Sequence, residues 1–175
     1  DWQVRSVAEL VLDPGPDTDQ TGRGLPIDFA EARALYEKAA ARGDTHAMNN
    51  LGRVYRDGDV VPADRDKAIY WFLASAANGN SYAYNNLGYM LLDEGDTESA
   101  LPLFEQAAAA GDIYGHNNLG HVYQNGIGVD QDVSRAIEHY EAAAEGGQPN
   151  APINLGFIYR DGAPGVAPDL HRAAF

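Results

Sequence analysis

Apolar residues recur along this chain at steps of three and four, the spacing of an amphipathic helix. They also fall into blocks that repeat. One block is built on a leucine: Ala47, Leu51, Val54, Tyr55; then Ala83, Leu87, Met90, Leu91; then Gly115, Leu119, Val122, Tyr123; then Ala151, Leu155, Ile158, Tyr159. The other is built on alanines and an aromatic. It runs Ala32, Leu35, Tyr36, Ala39, Ala40 and recurs as Ala68, Trp71, Phe72, Ser75, Ala76 and as Ala100, Leu103, Phe104, Ala107, Ala108. Its fourth copy is Ala136, His139, Tyr140, Ala143, Ala144. The blocks alternate, so the pattern predicts helix pairs, A with the leucine and B with the alanines. Each B block closes on a glycine (Gly43, Gly79, Gly111, Gly147), suited to a left-handed helix stop.

The leucines are 36, 32 and 36 residues apart. They sit in Asn-Asn-Leu-Gly at 49–52, 85–88 and 117–120 and in Ile-Asn-Leu-Gly at 153–156. A period of this length predicts a solenoid of stacked units. From each leucine to the next B alanine is 17, 13, 17 and 18 residues, whereas from that alanine to the next leucine is always 19. The helices therefore keep register while the A–B loop absorbs the variation. The long loops carry Gly128-Val129-x-x-Asp132 and Gly165-Val166-x-x-Asp169, with relatives at Gly24-Leu25-x-x-Asp28 and Val61-x-x-Asp64. Each Asp precedes a B alanine by four residues and is placed to cap the free N–H groups of helix B.

Strung together, Ala-x-x-Asn-Leu-Gly-x-x-Tyr, the Gly-Val-x-x-Asp loop and Ala-x-x-Tyr-x-x-Ala-Ala-x-x-Gly resemble the Sel1-like repeat family. That family is the longer-looped relative of tetratricopeptide repeats, and the likeness runs from about Gly24 to Phe175. It implies an all-α fold, a right-handed α/α superhelical solenoid of stacked helix-turn-helix repeats, as a single domain over 1–175. Its units are 1–43 (partial), 44–79, 80–111, 112–147 and 148–175 (truncated). Unit 80–111 departs from the pattern: Asp93-Glu94-Gly95-Asp96 replaces the long loop, as in a tetratricopeptide repeat. Residues 1–12, with Val4, Val7, Ala8 and Val11, suit a further helix A, and the last helix B begins near Asp169 and stops at Phe175. Incomplete ends predict a fragment of a longer protein, or ends covered by another domain or by a second copy in a homodimer.

Helix A has a second face, opposite the core. It reads His46, Asn49, Arg53, Arg56; then Tyr82, Asn85, Tyr89, Leu92; then Tyr114, Asn117, His121, Gln124; then Asn150, Ile153, Phe157, Arg160. Four aromatics stand there and no acidic residue does, in a chain with 26 Asp plus Glu. The resemblance implies that helix A lines a concave groove. Aromatics and Arg on such a strip are interface residues. The alternative is that neighbouring A helices pack these rings against one another. The adjacent column, Asn50, Asn86, Asn118 and Asn154, reads either as a structural hydrogen bond between helices or as an amide ladder for a peptide backbone. The first reading is favoured, because the asparagine belongs to the family pattern.

Charge narrows the partners. The formal net charge is −14, which argues against nucleic acid or an anionic membrane surface. No stretch approaches the ~20 apolar residues of a spanning helix. There is no cysteine, hence no disulfide and no thiolate chemistry. The chain does not begin with Met, so residue 1 reads as a processed or internal boundary and a removed signal stays open. Asp17 to Asp28 imitate a calcium loop, but Gly24 takes its apolar position and Asp28 its closing glutamate, so loop-forming residues and a helix cap explain it better. Among His46, His116, His121, His139 and His171 no pair has the i,i+4 spacing of a helical metal site, and His139 reads as a packed histidine. No phosphate loop or nucleophile elbow is present.

The expected function is therefore that of a protein-interaction scaffold, not an enzyme, needing no cofactor and no metal. Its site is the A-helix face, without Leu92, and it would hold a peptide or a partner domain. A glycan-binding or envelope-assembly role is the alternative. A β-lactam-binding or hydrolysing role ranks below it, since the cysteines of such relatives are missing. The resemblance implies a bacterial setting and leaves periplasm and cytoplasm both open.

Overall fold

The computed structural model describes residues 29–59 and 61–173, and among them eight α-helices and no strand. The helix expected over 1–12 and the calcium-like stretch to Asp28 lie outside the described residues. The helices fall into two compact units, one up to Asn80 and one from Ser81.

The first unit contains α1 (Phe29–Ala40), α2 (Thr45–Asp57) and α3 (Arg65–Ala77). In the predicted scheme α2 is an A helix and its two partners are B helices. Tyr36, Ala40, Ala47, Met48 and Leu51 form its core, with Tyr55 and Trp71 packed against them. The second unit contains α4 (Ser81–Asp93), α5 (Thr97–Ala109), α6 (Ile113–Asn125), α7 (Val133–Glu145) and α8 (Ala151–Asp161). Here α4, α6 and α8 are A helices and α5 and α7 are B helices. Leu87, Met90, Leu91, Phe104, Leu119, Val122, Tyr140, Leu155 and Ile158 are buried, as the leucine and aromatic columns require. Each large side chain so buried contributes roughly 1.5–3 kcal/mol.

The glycine of Asn-Leu-Gly has a packing reason. A Cβ on Gly52 would lie 2.6 Å from the Phe72 ring, one on Gly88 2.9 Å from Phe104, and one on Gly120 2.6 Å from Tyr140. These three B-helix rings thus pack directly against bare A-helix backbone. The B-helix stops are left-handed as expected, with φ 89° at Gly43, 94° at Gly79, 84° at Gly111 and 89° at Gly147.

Loop length varies between two fixed points. The backbone N–H of the capping aspartate donates to a helix-A carbonyl in four repeats among the described residues. The bonds are Asp64 to Tyr55 (2.8 Å), Asp96 to Leu91 (2.8 Å), Asp132 to Tyr123 (2.9 Å) and Asp169 to Tyr159 (2.7 Å). The carboxylates then cap as predicted: Asp64 accepts from Lys67 N (3.1 Å), Asp132 from Arg135 N (3.0 Å) and Asp169 from Arg172 N (3.1 Å). In the short unit Asp96 does the same with Ser99 N at 3.1 Å. After Asp169 the described residues form a turn.

Candidate partner-binding face

In the first unit, the outward face of α2 carries His46, exposed, with Asn49, Arg53 and Arg56 half-buried. The Arg56 Nε donates to Asp57 Oδ1 at 2.6 Å. That guanidinium is neutralised by its own neighbour.

In the second unit the same face is more apolar. Tyr82, Tyr89, Tyr114, Ile153 and Phe157 are all between 43% and 55% exposed, a large apolar display for side chains of this size. The Tyr82 and Tyr114 rings meet at 6.1 Å, tilted by 56°. Neighbouring A helices therefore do pack rings together here, and the rings still face solvent. Phe157 lies under the Arg160 guanidinium, 5.0 Å away, and Arg160 is held by Asp161 through bonds of 2.7 and 2.6 Å.

The asparagines form a ladder between successive A helices. Asn118 Nδ2 donates to Asn85 Oδ1 at 2.8 Å, and Asn154 Nδ2 donates to Asn117 Oδ1 at 3.1 Å. The structural hydrogen bond expected of the second asparagine column is present in this unit, and it engages Asn85 and Asn117 of the first. Gln124 is also engaged: its Oε1 accepts from the buried Tyr140 hydroxyl at 2.8 Å, and burial pushes that phenol's pKa up. Asn150 precedes α8 without a side-chain cap; its backbone N–H and that of Ala151 donate to Gln148 Oε1 at 2.6 and 2.7 Å. His121 is exposed.

Two features escaped the sequence. The first is a pocket of about 400 Å³ formed by Tyr89, Leu92 and Asp93 of α4, Thr97 of α5, Asn118 and His121 of α6, and Ile127 of the following loop. It brings together Tyr89, Leu92 and His121 of the predicted face with Asp93, Thr97 and Ile127, which were not on it, and with Asn118 of the ladder. Gly128 closes the loop against Thr97, so tightly that a Cβ would fall 2.8 Å from the threonine Cβ. The second is a histidine pair. His116 Nδ1 and His139 Nδ1 are 3.1 Å apart, and His139 stacks on Tyr123 at 5.6 Å and 4°. Burial, then the neighbouring His116, holds His139 below the usual imidazole pKa. The signal was available by column: His116 stands where the other A helices have Met48, Tyr84 and Pro152, and His139 where the other B helices have Leu35, Trp71 and Leu103. Close by, buried Asp112 caps α6 through Tyr114 N at 3.0 Å, and burial raises its carboxyl pKa.

Among the described residues no group of three or more His, Asp or Glu could hold a metal ion. No helix there is long and apolar enough to cross a membrane.

The Sel1 repeat profile matches residues 19–44, 45–80, 113–148 and 149–175, and a tetratricopeptide repeat profile matches residues 83–113. Comparison with curated proteins finds no match. Among solved structures, the chain is similar to a Sel1 repeat protein from Oxalobacter formigenes, with 33% identity and a TM-score of 0.74 over 88% of this chain and 64% of that one. It is also similar to a protective antigen of uropathogenic Escherichia coli strains displaying an SLR fold, with 29% identity and a TM-score of 0.72 over 87% of this chain and 34% of that one. The chain thus spans about two thirds and one third of their lengths. An immunity protein from Pseudomonas aeruginosa, at 24% identity and a TM-score of 0.50 over 95% of this chain and 75% of that one, shares the fold alone.

Proposed function

Since this chain belongs to the Sel1 repeat family, whose repeats generally mediate protein–protein contact, we propose that it is an interaction scaffold that binds a peptide or partner domain on the A-helix face. The observation that carries this reading is the exposed row Tyr82, Tyr89, Tyr114, Ile153 and Phe157 in the second unit. Aromatic side chains give large contact area at low entropy cost, and they anchor interfaces where ordinary surface would be polar. The Asn ladder, Gln124 and the Arg–Asp pairs serve as the frame and rim of that face, and the rings and Ile153 as its anchors. Nothing in this reading requires a reaction.

The test is a pull-down from native bacterial lysate with three baits of equal helicity by circular dichroism. They are wild type, Tyr82→Ala plus Tyr114→Ala plus Phe157→Ala, and a control with Tyr70→Ala plus Leu73→Ala. Tyr70 and Leu73 are exposed apolar positions on α3, a B helix of the first unit. A partner kept by wild type and control and lost by the triple variant is the expected result. Retention by the triple variant would move the site elsewhere.

A further inference from the structure

Equivalent positions in the repeats expose an unmatched charge. Six residues after the leucine stand Asp57, Asp93, Asn125 and Asp161, and one residue earlier stand Arg56, Leu92, Gln124 and Arg160. Asp57 is paired with Arg56 at 2.6 Å and Asp161 with Arg160 at 2.6 Å. In unit 80–111 the arginine is replaced by Leu92 and the aspartate remains. Among the described residues the Asp93 carboxylate has neither a hydrogen bond nor an ion pair. A second cation is missing from the same unit. Lys67, Arg135 and Arg172 lie over Tyr55, Tyr123 and Tyr159 at 5.1, 5.3 and 4.3 Å, but Ser99 and Leu91 occupy those places here.

The surroundings deepen the imbalance. Asp93 ends α4, whose last turn has no basic residue, so its charge adds to the negative end of the helix dipole. Unit 80–111 has five acidic residues and no Lys or Arg, and no Lys or Arg occurs anywhere in residues 68–134. Asp93 is exposed, and it lines the pocket together with Leu92, Tyr89 and Ile127. An arginine or lysine side chain has the complementary form: an apolar stem, and a cation at its tip. The tyrosine face adds to its attraction.

We infer that this pocket seats an arginine or lysine side chain of a basic peptide partner, which supplies in trans the cation that two other repeats carry in cis. The stem lies on Leu92 and Ile127, and the cation meets the Asp93 carboxylate beside the Tyr89 ring. The short Asp93–Asp96 loop makes room for it. This deepens the scaffold reading and rests on it.

The probe is N-acetyl-arginine amide, titrated into the 175-residue chain and followed by ¹H–¹⁵N NMR, with N-acetyl-citrulline amide as the neutral isostere. Saturable shifts are expected at the amides of Tyr89, Leu92, Asp93, His121 and Ile127, with a Kd on the order of 1–10 mM, as one charge-assisted contact gives. Asp93→Asn removes the carboxylate, and Leu92→Arg restores the cation in cis; each should abolish saturation while the remaining spectrum stays that of the folded chain. Equal shifts with the citrulline amide, shifts scattered over the acidic surface, or persistence in either variant would overturn the pocket. The pocket and the lysate variants share no residue. A failed titration therefore leaves the scaffold result standing, and a failed pull-down leaves the cation site measurable by itself.

Discussion

A glycine under a ring is a close contact repeated from unit to unit, and it makes a sharp residue-scale prediction. Gly120 has the Tyr140 ring where a Cβ would stand, whereas Gly156 has only the Ala173 carbonyl at 3.7 Å. In the 175-residue chain Gly120→Ala should therefore lose about 1–3 kcal/mol through overpacking. Gly156→Ala should gain up to about 1 kcal/mol from helix propensity. Urea unfolding of the two variants checks both signs. The histidine pair makes another prediction. His139 is held below the ordinary imidazole value of about 6.5, mainly by burial. At His139 the folded chain therefore binds fewer protons than the unfolded chain just below that value, and this group's contribution to stability falls as pH drops through this window. Wild type should melt at a lower temperature at pH 5.5 than at pH 7.5, and His139→Leu should show a smaller fall. The leucine, alanine and aromatic columns were legible in the sequence because helical spacing alone fixes which residues face inward. The pairings of Asn118 with Asn85, Gln124 with Tyr140 and His116 with His139 were not, because they depend on distances between helices. Spacing along one helix does not encode those distances.

At the scale of the element, the constant feature is the bond from the capping aspartate N–H to the helix-A carbonyl. It is present whether the loop is short, as at Asp96, or long, as at Asp132. The loop is thus an insertion between two clamped points, and its length should change stability little, since closure entropy grows slowly with length. Replacing Gly126–Gln131 by Glu-Gly, the short unit's connection, should leave the chain folded with unchanged helicity. It should also remove Ile127 from the pocket wall and weaken the arginine-amide shifts. Loss of cooperative unfolding in this graft would show that the long loop is part of the core. Sequence spacing revealed this modularity through the invariant 19-residue interval. It did not reveal the pocket, because a pocket arises where a short loop stands beside a long one and belongs to neither repeat alone.

At the scale of the whole chain, charge and surface act together. A net charge of −14 with a stretch from 68 to 134 free of Lys and Arg favours basic partners and fast, salt-sensitive association. The aromatic row then supplies the anchor that charge alone lacks. The partner's dissociation constant should accordingly rise between 50 and 300 mM NaCl, mostly through a slower on-rate. The central claim is that the A-helix rings are the binding surface. The most direct test is the partner's affinity for wild type and for Tyr114→Ala plus Phe157→Ala, by calorimetry at fixed salt. Each anchor ring is worth roughly 1–2 kcal/mol or more at an interface, so the account predicts a loss of about tenfold or more. An unchanged affinity in a variant that is folded would contradict it.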